Sequence, residues 1–233
     1  MLDFIRKKDY WDAMNRDLLS EIPGKLSFQL KTVQDLWVYS VLRNETDKKI
    51  AEIGGGDSRI LRRLSKTNTC FNIDKFEGAD QGPENEIEIP NVENIKCFVG
   101  NSTDLIKDAS FDILFSVSVV EHVADQDFPA FFKDCIRILK PGGYMVHAID
   151  MYISDEPTPF WKNRYDMYRN SVENSTDVIP VGEVRSSGLK FSPSFASNTD
   201  EIMYKWKNIS PSLDSLRQEA QNVSVKMIAR KWT

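Results

Sequence analysis

Three consecutive glycines, Gly54-Gly55-Gly56, constrain this chain more than any other feature. They follow the apolar run Ile50-Ala51-Glu52-Ile53 and precede Asp57-Ser58-Arg59-Ile60-Leu61, which reads as the start of a helix. A strand that turns abruptly into a helix needs residues free of a Cβ, and the same freedom lets a ligand lie against the backbone. A second apolar run, Phe71-Asn72-Ile73-Asp74, ends in an acid about 20 residues further on, the place where α/β folds set a carboxylate to accept ribose hydroxyls. A dinucleotide fingerprint would need a third glycine at position 59, where Arg59 stands instead. A pyrophosphate clamp, and with it a dinucleotide-dependent oxidoreductase, is therefore disfavoured.

The rest of the chain continues the alternation. Strands are predicted over 49–53, 69–74, 95–99, 111–117 and 144–149, with helices over 58–65 and 128–139. The second helix ends at Lys140-Pro141-Gly142-Gly143, a stop followed by a turn. Apolar strands alternating with helices imply parallel pairing with both faces covered. The expected fold is α/β and Rossmann-like: a doubly wound, mostly parallel seven-stranded sheet with helices on both faces and an antiparallel C-terminal edge strand, the alternating segment 223–230. Residues 1–48 read as an N-terminal helical cap and 49–233 as the main domain. Within it, residues 151–200, rich in Pro, Ser, Asn and aromatics, form an irregular substrate-covering insertion.

The 233 residues suit one decorated domain, and 41% hydrophobic residues suffice for a core. A net charge of −5 argues against nucleic acid as a partner. The charged start lacks a secretory leader, and no run has the length of a membrane span. Three scattered cysteines, Cys70, Cys97 and Cys135, fit reduced structural residues in the cytoplasm. A homo-oligomer is compatible with all of this.

Glu52-Ile53-Gly54-Gly55-Gly56-Asp57-Ser58 resembles the first motif of the class I S-adenosylmethionine-dependent methyltransferases, with Ser58 in place of the last glycine. Asp74 matches the ribose-binding acid of that family. Phe111 to Ser116 followed by Val120-Glu121-His122-Val123 resembles its fourth strand and sequel, and Arg137 to Tyr144 its next helix-turn-strand unit. The likeness runs from about residue 49 to 150, with the motifs in order. It implies that S-adenosyl-L-methionine is the cofactor and S-adenosyl-L-homocysteine the product. It further implies that Glu52, Gly54, Gly55 and Gly56 border the methionine moiety, that Asp74 holds the ribose, and that Lys75 or Phe76 borders the adenine. Asn101, where the family commonly has an acid, would accept from the adenine amino group or serve as a turn residue, with Ser102 beside it. Ser116 and Val117 would approach the methionine end.

The resemblance also implies O-methylation of a small molecule or a sugar. Only two histidines can act as a base, His122 and His147. Glu-His is widespread in the family whatever the acceptor, which favours a structural role for His122. His147, with Asp150 near it, is either a base or a satisfied core residue. No metal is expected, because Ser118 stands where metal-using relatives carry a further acid. The segment His147 to Tyr152, with Trp161 and Asn163-Arg164-Tyr165, is similar to methyltransferases of polysaccharide pathways. Tyr152, Phe160, Trp161, Tyr165 and Tyr168 would then stack on a sugar or pack onto the sheet. The acceptor partner is a small molecule or glycan; N-methylation of a small amine and a cofactor-binding module without catalysis are the alternatives.

Overall fold

In the computed structural model, residues 1–22, 30–78, 82–102, 104–154, 158–185, 202, 204–205 and 220–233 are described. Strands β2 (Lys49–Ile53), β3 (Thr69–Asp74), β4 (Val92–Lys96), β5 (Phe111–Val117) and β6 (Leu139–Ser154) pair in parallel in the order β6-β5-β2-β3-β4. The chain reverses direction between β2–β3 and β5, so β2 and β5 splay their connections at their carboxyl ends and open a crevice there. β9 (Ala220–Lys231) runs antiparallel to β6 from Tyr144↔Arg230 to Ser154↔Ala220. The doubly wound sheet with its antiparallel C-terminal strand is as the sequence implies.

Outside β9 the sheet continues further than expected. β1 (Leu2–Phe4), β7 (Val178–Pro180) and β8 (Tyr204–Lys205) all pair with β9. Residues 2–4, expected to be helical, are thus strand: Leu2, Phe4 and the following Ile5 are completely buried, and backbone pairing is the way so short a segment satisfies its amides there. β4 begins at Val92, three residues earlier than expected, and ends at Lys96.

Helices cover both faces. On one lie α5 (Phe128–Ile138) and α6 (Pro159–Glu173). Phe128, Phe131, Phe132, Cys135 and Ile138 of α5 recur at helical spacing and are buried against Leu114, Met145 and Ile149. α6 occupies part of the segment expected to be irregular. Thr158 caps it by accepting from the Trp161 amide, and Pro159 supplies a first residue with fixed φ. β6 likewise runs four residues into that segment, to Ser154.

The other face carries α1 (Lys7–Asn15), α2 (Leu18–Glu21), α3 (Leu30–Leu42) and α4 (Leu61–Leu64). The expected helix over 58–65 is regular only across those four α4 residues. α3 is the central piece: Val33, Leu36, Trp37, Val38 and Leu42 share a core with Ile50, Ile113, Phe115, Val146 and Ala148. No described helix is long and apolar enough to cross a membrane.

Because Phe4 is fully buried and its ring stacks on Tyr165 at 6.0 Å, Phe4→Ala should cost about 3–5 kcal/mol of stability. Urea denaturation measures this; a loss below about 1 kcal/mol would mean that β1 is not an integral strand.

Candidate active site

The glycine turn is shaped by the end of β3. The Gly54 amide donates to the Ile73 carbonyl at 2.7 Å, the Gly55 amide to Asn72 Oδ1 at 3.2 Å, and the Gly56 amide to Asp74 Oδ2 at 3.2 Å. Asn72 Nδ2 donates to the Gly56 carbonyl at 3.1 Å. Gly54 has φ +65°, and a Cβ there would sit 2.7 Å from Val119 Cγ2. Gly56 has φ +49°, again a backbone that resists a side chain, although a Cβ would find room. One turn therefore needs glycine for space and for conformation.

Two joined clefts open over this turn. The first, about 860 Å³, is lined by Ile53, Gly54, Ile73, Asp74, Lys75, Phe98, Val99, Val119, Val123 and Phe131 among others. The Lys75 ammonium lies 5.0 Å from the centroid of the Phe98 ring. Asp74 stands at its wall. Its Oδ1 accepts the Phe76 amide at 2.9 Å and its Oδ2 the Gly56 amide, leaving each carboxylate oxygen a further lone pair for a ligand. The second cleft, about 1270 Å³, is lined by Lys31, Gly54 to Asp57, Val117, Ser118, Glu121, His122 and Asp150. Gly54, Gly82, Pro83, Ser118 and His122 line both.

Helix α3 walls the second cleft. Lys31 Nζ donates to the Val117 carbonyl at 2.8 Å. Gln34, buried, donates through Nε2 to Asp150 Oδ1 and to Ser224 Oγ, and accepts from Ser118 Oγ at 2.9 Å. Asp35 pairs with Arg59 of the segment following the glycines. From the opposite layer, Arg164 of α6 grips the single 3-10 turn Val120–His122: it donates to the Glu121 carbonyl at 2.7 Å and to the Val123 carbonyl, and pairs with Asp125 at 3.0 Å.

Several expected site residues lie elsewhere. His147 is buried and lines neither cleft. On β6 it points to the α5 face with Met145 and Ile149, whereas Asp150, on the opposite parity, faces α3 and the second cleft. Its Nδ1 is 2.8 Å from Ser116 Oγ, its ring lies 6.3 Å from Phe131, and burial lowers its pKa to about 4. Its place is in the core, on the α5 side of the sheet. Ser116 is consumed by that contact and is buried beneath the floor. Asn101 is exposed outside both clefts, and Ser102 is buried, donating to Asp134 at 2.6 Å. Asp134, which also accepts the Gly100 amide at 2.7 Å, fixes this loop to α5. Cys97, Phe98 and Val99 line the first cleft in place of Asn101 and Ser102.

Glu52 is buried beneath the turn: a Cβ on Gly55 would meet its Cδ at 2.9 Å. One of its oxygens has no hydrogen-bond partner, and burial pushes its pKa up to about 8. It supports the turn from below. Of the two residues expected beside the adenine, Phe76 is buried and Lys75 lines the first cleft. Of the five aromatics expected to stack on a sugar, Tyr165 and Tyr168 are core residues, and Tyr152, Phe160 and Trp161 pack on one another, with centroids 5.7 and 4.9 Å apart. None lines either cleft. Among the described residues no group of three or more metal-ligating side chains converges. Glu121, absent from the expected set, lines the second cleft with one buried oxygen lacking a partner. Its place beside His122 was visible in the sequence, but not the direction of its side chain.

Residues 51–147, which span the strands around both clefts, match a family of methyltransferase domains. That match covers 97 of the 233 residues, from β2 to the middle of β6. The chain is similar to phosphoethanolamine N-methyltransferase 1 of Zea mays, 26% identical over 143 residues, 60% of this chain and 28% of that protein. It is also similar to a ubiquinone biosynthesis O-methyltransferase of Maricaulis maris, 27% identical over 60% of this chain and 56% of that protein. The match thus spans little more than half of one curated relative and under a third of the other. Two solved structures share the fold. One is the geranyl diphosphate C-methyltransferase of Streptomyces coelicolor A3(2), with a TM-score of 0.54, 13% identity, and 86% of this chain and 77% of that one covered. The other is the 1,6-didemethyltoxoflavin-N1-methyltransferase of Burkholderia thailandensis, with a TM-score of 0.50, 13% identity, and 99% and 92% covered.

Burial holds Glu52 neutral at pH 7, which makes stability depend on pH. A raised carboxyl pKa in the folded state means that its contribution is fully present below the unfolded value, 4.5, and is lost as pH rises through about 8. His147, with its lowered pKa, acts in the opposite sense between 6.5 and about 4. From pH 6.5 to 8, stability should therefore fall, by up to about 1.4 kcal/mol per pH unit from Glu52. Urea midpoints across that range should show a shallower fall in Glu52→Gln; an identical slope in the variant would contradict the buried neutral state.

Proposed function

We propose that this chain transfers a methyl group from S-adenosylmethionine to an oxygen or nitrogen of a small molecule. The observation that carries the reading is the junction of the two clefts at Gly54, Ser118 and His122, where a ligand in one meets a ligand in the other. S-adenosylmethionine supplies an electrophilic methyl on a sulfonium when bound.

The residues suit that cofactor. Asp74 has lone pairs to spare for two ribose hydroxyls, and Ile73, Phe98 and Val99 offer an apolar slot for a purine, with Lys75 at its edge. The side-chain-free turn at Gly54 and Gly56 leaves the methionine arm room against the backbone, leading toward the second cleft. There, Lys31, Val117, Glu121, His122 and Asp150 surround the space for the acceptor. Catalysis by such a site comes largely from holding acceptor and methyl in line. The named activities of the relatives in maize and Maricaulis maris, one N- and one O-methylating, are compatible with either acceptor atom. Among the described residues no Phe, Tyr or Trp lines the second cleft.

Calorimetric titration tests the cofactor assignment. S-adenosylhomocysteine should bind and NAD should not. Asp74→Ala should weaken S-adenosylhomocysteine at least about tenfold, the loss of a charge-assisted bond worth about 1.5–3 kcal/mol. Unchanged affinity would remove Asp74 from the site. Turnover of a labelled methyl donor against phenols, amines and sugars then identifies the acceptor class, and silence across all three would favour a binding module without catalysis.

A further inference from the structure

Glu121 is the one described carboxylate that lines the second cleft and keeps a buried oxygen without a partner. Its side chain is one-tenth exposed, and its backbone is fixed by the Arg164 guanidinium. An unsatisfied buried carboxylate oxygen costs stability unless a ligand completes it. The neighbouring charged and titratable groups are Asp150 on β6, Lys31 on α3, Arg164 and Tyr168 on α6, Asp125 after the turn, and His122 beside it. Lys31 is engaged with the Val117 carbonyl, and Arg164 with backbone carbonyls and Asp125. Asp150 Oδ1 already accepts from Gln34. Among the described carboxylates of this cleft, it is Glu121 whose buried oxygen is left without a partner.

We propose that Glu121 is the catalytic base, taking the proton from an acceptor that presents an O–H or N–H group. The inference rests on the functional reading above. As the acceptor's lone pair bonds to the methyl carbon, the carbon–sulfur bond breaks and its electron pair stays on sulfur. The acceptor's proton passes to the Glu121 carboxylate, so one positive and one negative charge vanish together and atoms balance. Burial, with Asp150 adding repulsion, pushes Glu121 up to about 8, near the working range in which a general base is most effective. The assignment fills the role that His147, closed off against α5, does not reach. It also excludes acceptors without a proton to give, such as tertiary amines and carboxylates, as good substrates. Arg164 and Asp150 are positioning residues in this scheme: one sets the turn, the other the proton affinity.

The test uses the full chain loaded with S-adenosylhomocysteine and labelled with 13C at glutamate carboxyls. Two resonances, those of Glu52 and Glu121, should titrate near pH 8; one of them should vanish in Glu121→Gln and the same one should move to lower pH in Asp150→Asn, while the other stays in both. With the acceptor found in the panel above, Glu121→Gln should lower kcat at least about 100-fold while S-adenosylhomocysteine affinity stays within about twofold. The wild-type rate should rise with pH through about 8, and that limb should be absent in the variant. A Glu121 resonance titrating below about pH 6, a limb near the histidine range, or kcat within about tenfold of wild type would each overturn the proposal. If Glu121→Gln does not fold, the Asp150→Asn spectrum still decides. Failure of S-adenosylhomocysteine to bind wild type would instead overturn the functional reading, which separates the two.

Discussion

Asn72 is the hinge on which the site depends. Its buried side-chain amide bonds the turn twice, accepting from Gly55 and donating to the Gly56 carbonyl. Neighbouring Ile73 and Asp74 take the amides of Gly54 and Gly56. The end of β3 therefore holds every glycine of the turn, and a backbone that would otherwise be the least ordered part of the chain becomes a fixed surface. Glycine loses more conformational entropy on ordering than any other residue, so such a turn needs partners on this scale. Parallel pairing of β2 with β3, from Lys49↔Thr69 to Ile53↔Ile73, is what brings them into register.

A second consequence of the topology is that the second cleft is built from three distant segments. α3 contributes Lys31 and Gln34, the carboxyl end of β5 leads into Ser118, Glu121 and His122, and β6 brings Asp150. Gln34 ties all but the turn together through Asp150, Ser118 and Ser224. A buried amide with three polar partners rigidifies its surroundings when every bond is made. Helix α3, before the glycine motif, is thus part of the wall of that cleft.

Much of this was legible in the sequence. β2, β3 and β5 were readable because strands buried on both faces are uninterrupted apolar runs, and α5 because its phenylalanines keep helical spacing. Asp74 was readable from its distance to the glycines. What failed was anything decided by side-chain direction. A histidine and an aspartate three residues apart on one strand point to opposite faces, and a motif quotes both alike. Asn101 and Ser102 follow a family pattern, but Asp134 pulls that loop onto α5, and only tertiary contact reveals this. β1 was too short to carry a period, and α6 had too few apolar residues to stand out from a polar, aromatic-rich segment.

β9 shows where the fold is most demanding to assemble. Its backbone bonds reach β6 on one side and β1 on the other, and the Ile228 amide donates to Met1, 227 positions away. Bringing such remote pieces together is entropically expensive and slow compared with local pairing. The β2–β3–β5 unit with its glycine turn draws on nearer partners. On a ribosome, the half of the crevice around the glycine turn has its strands available well before the sheet can be closed by β9.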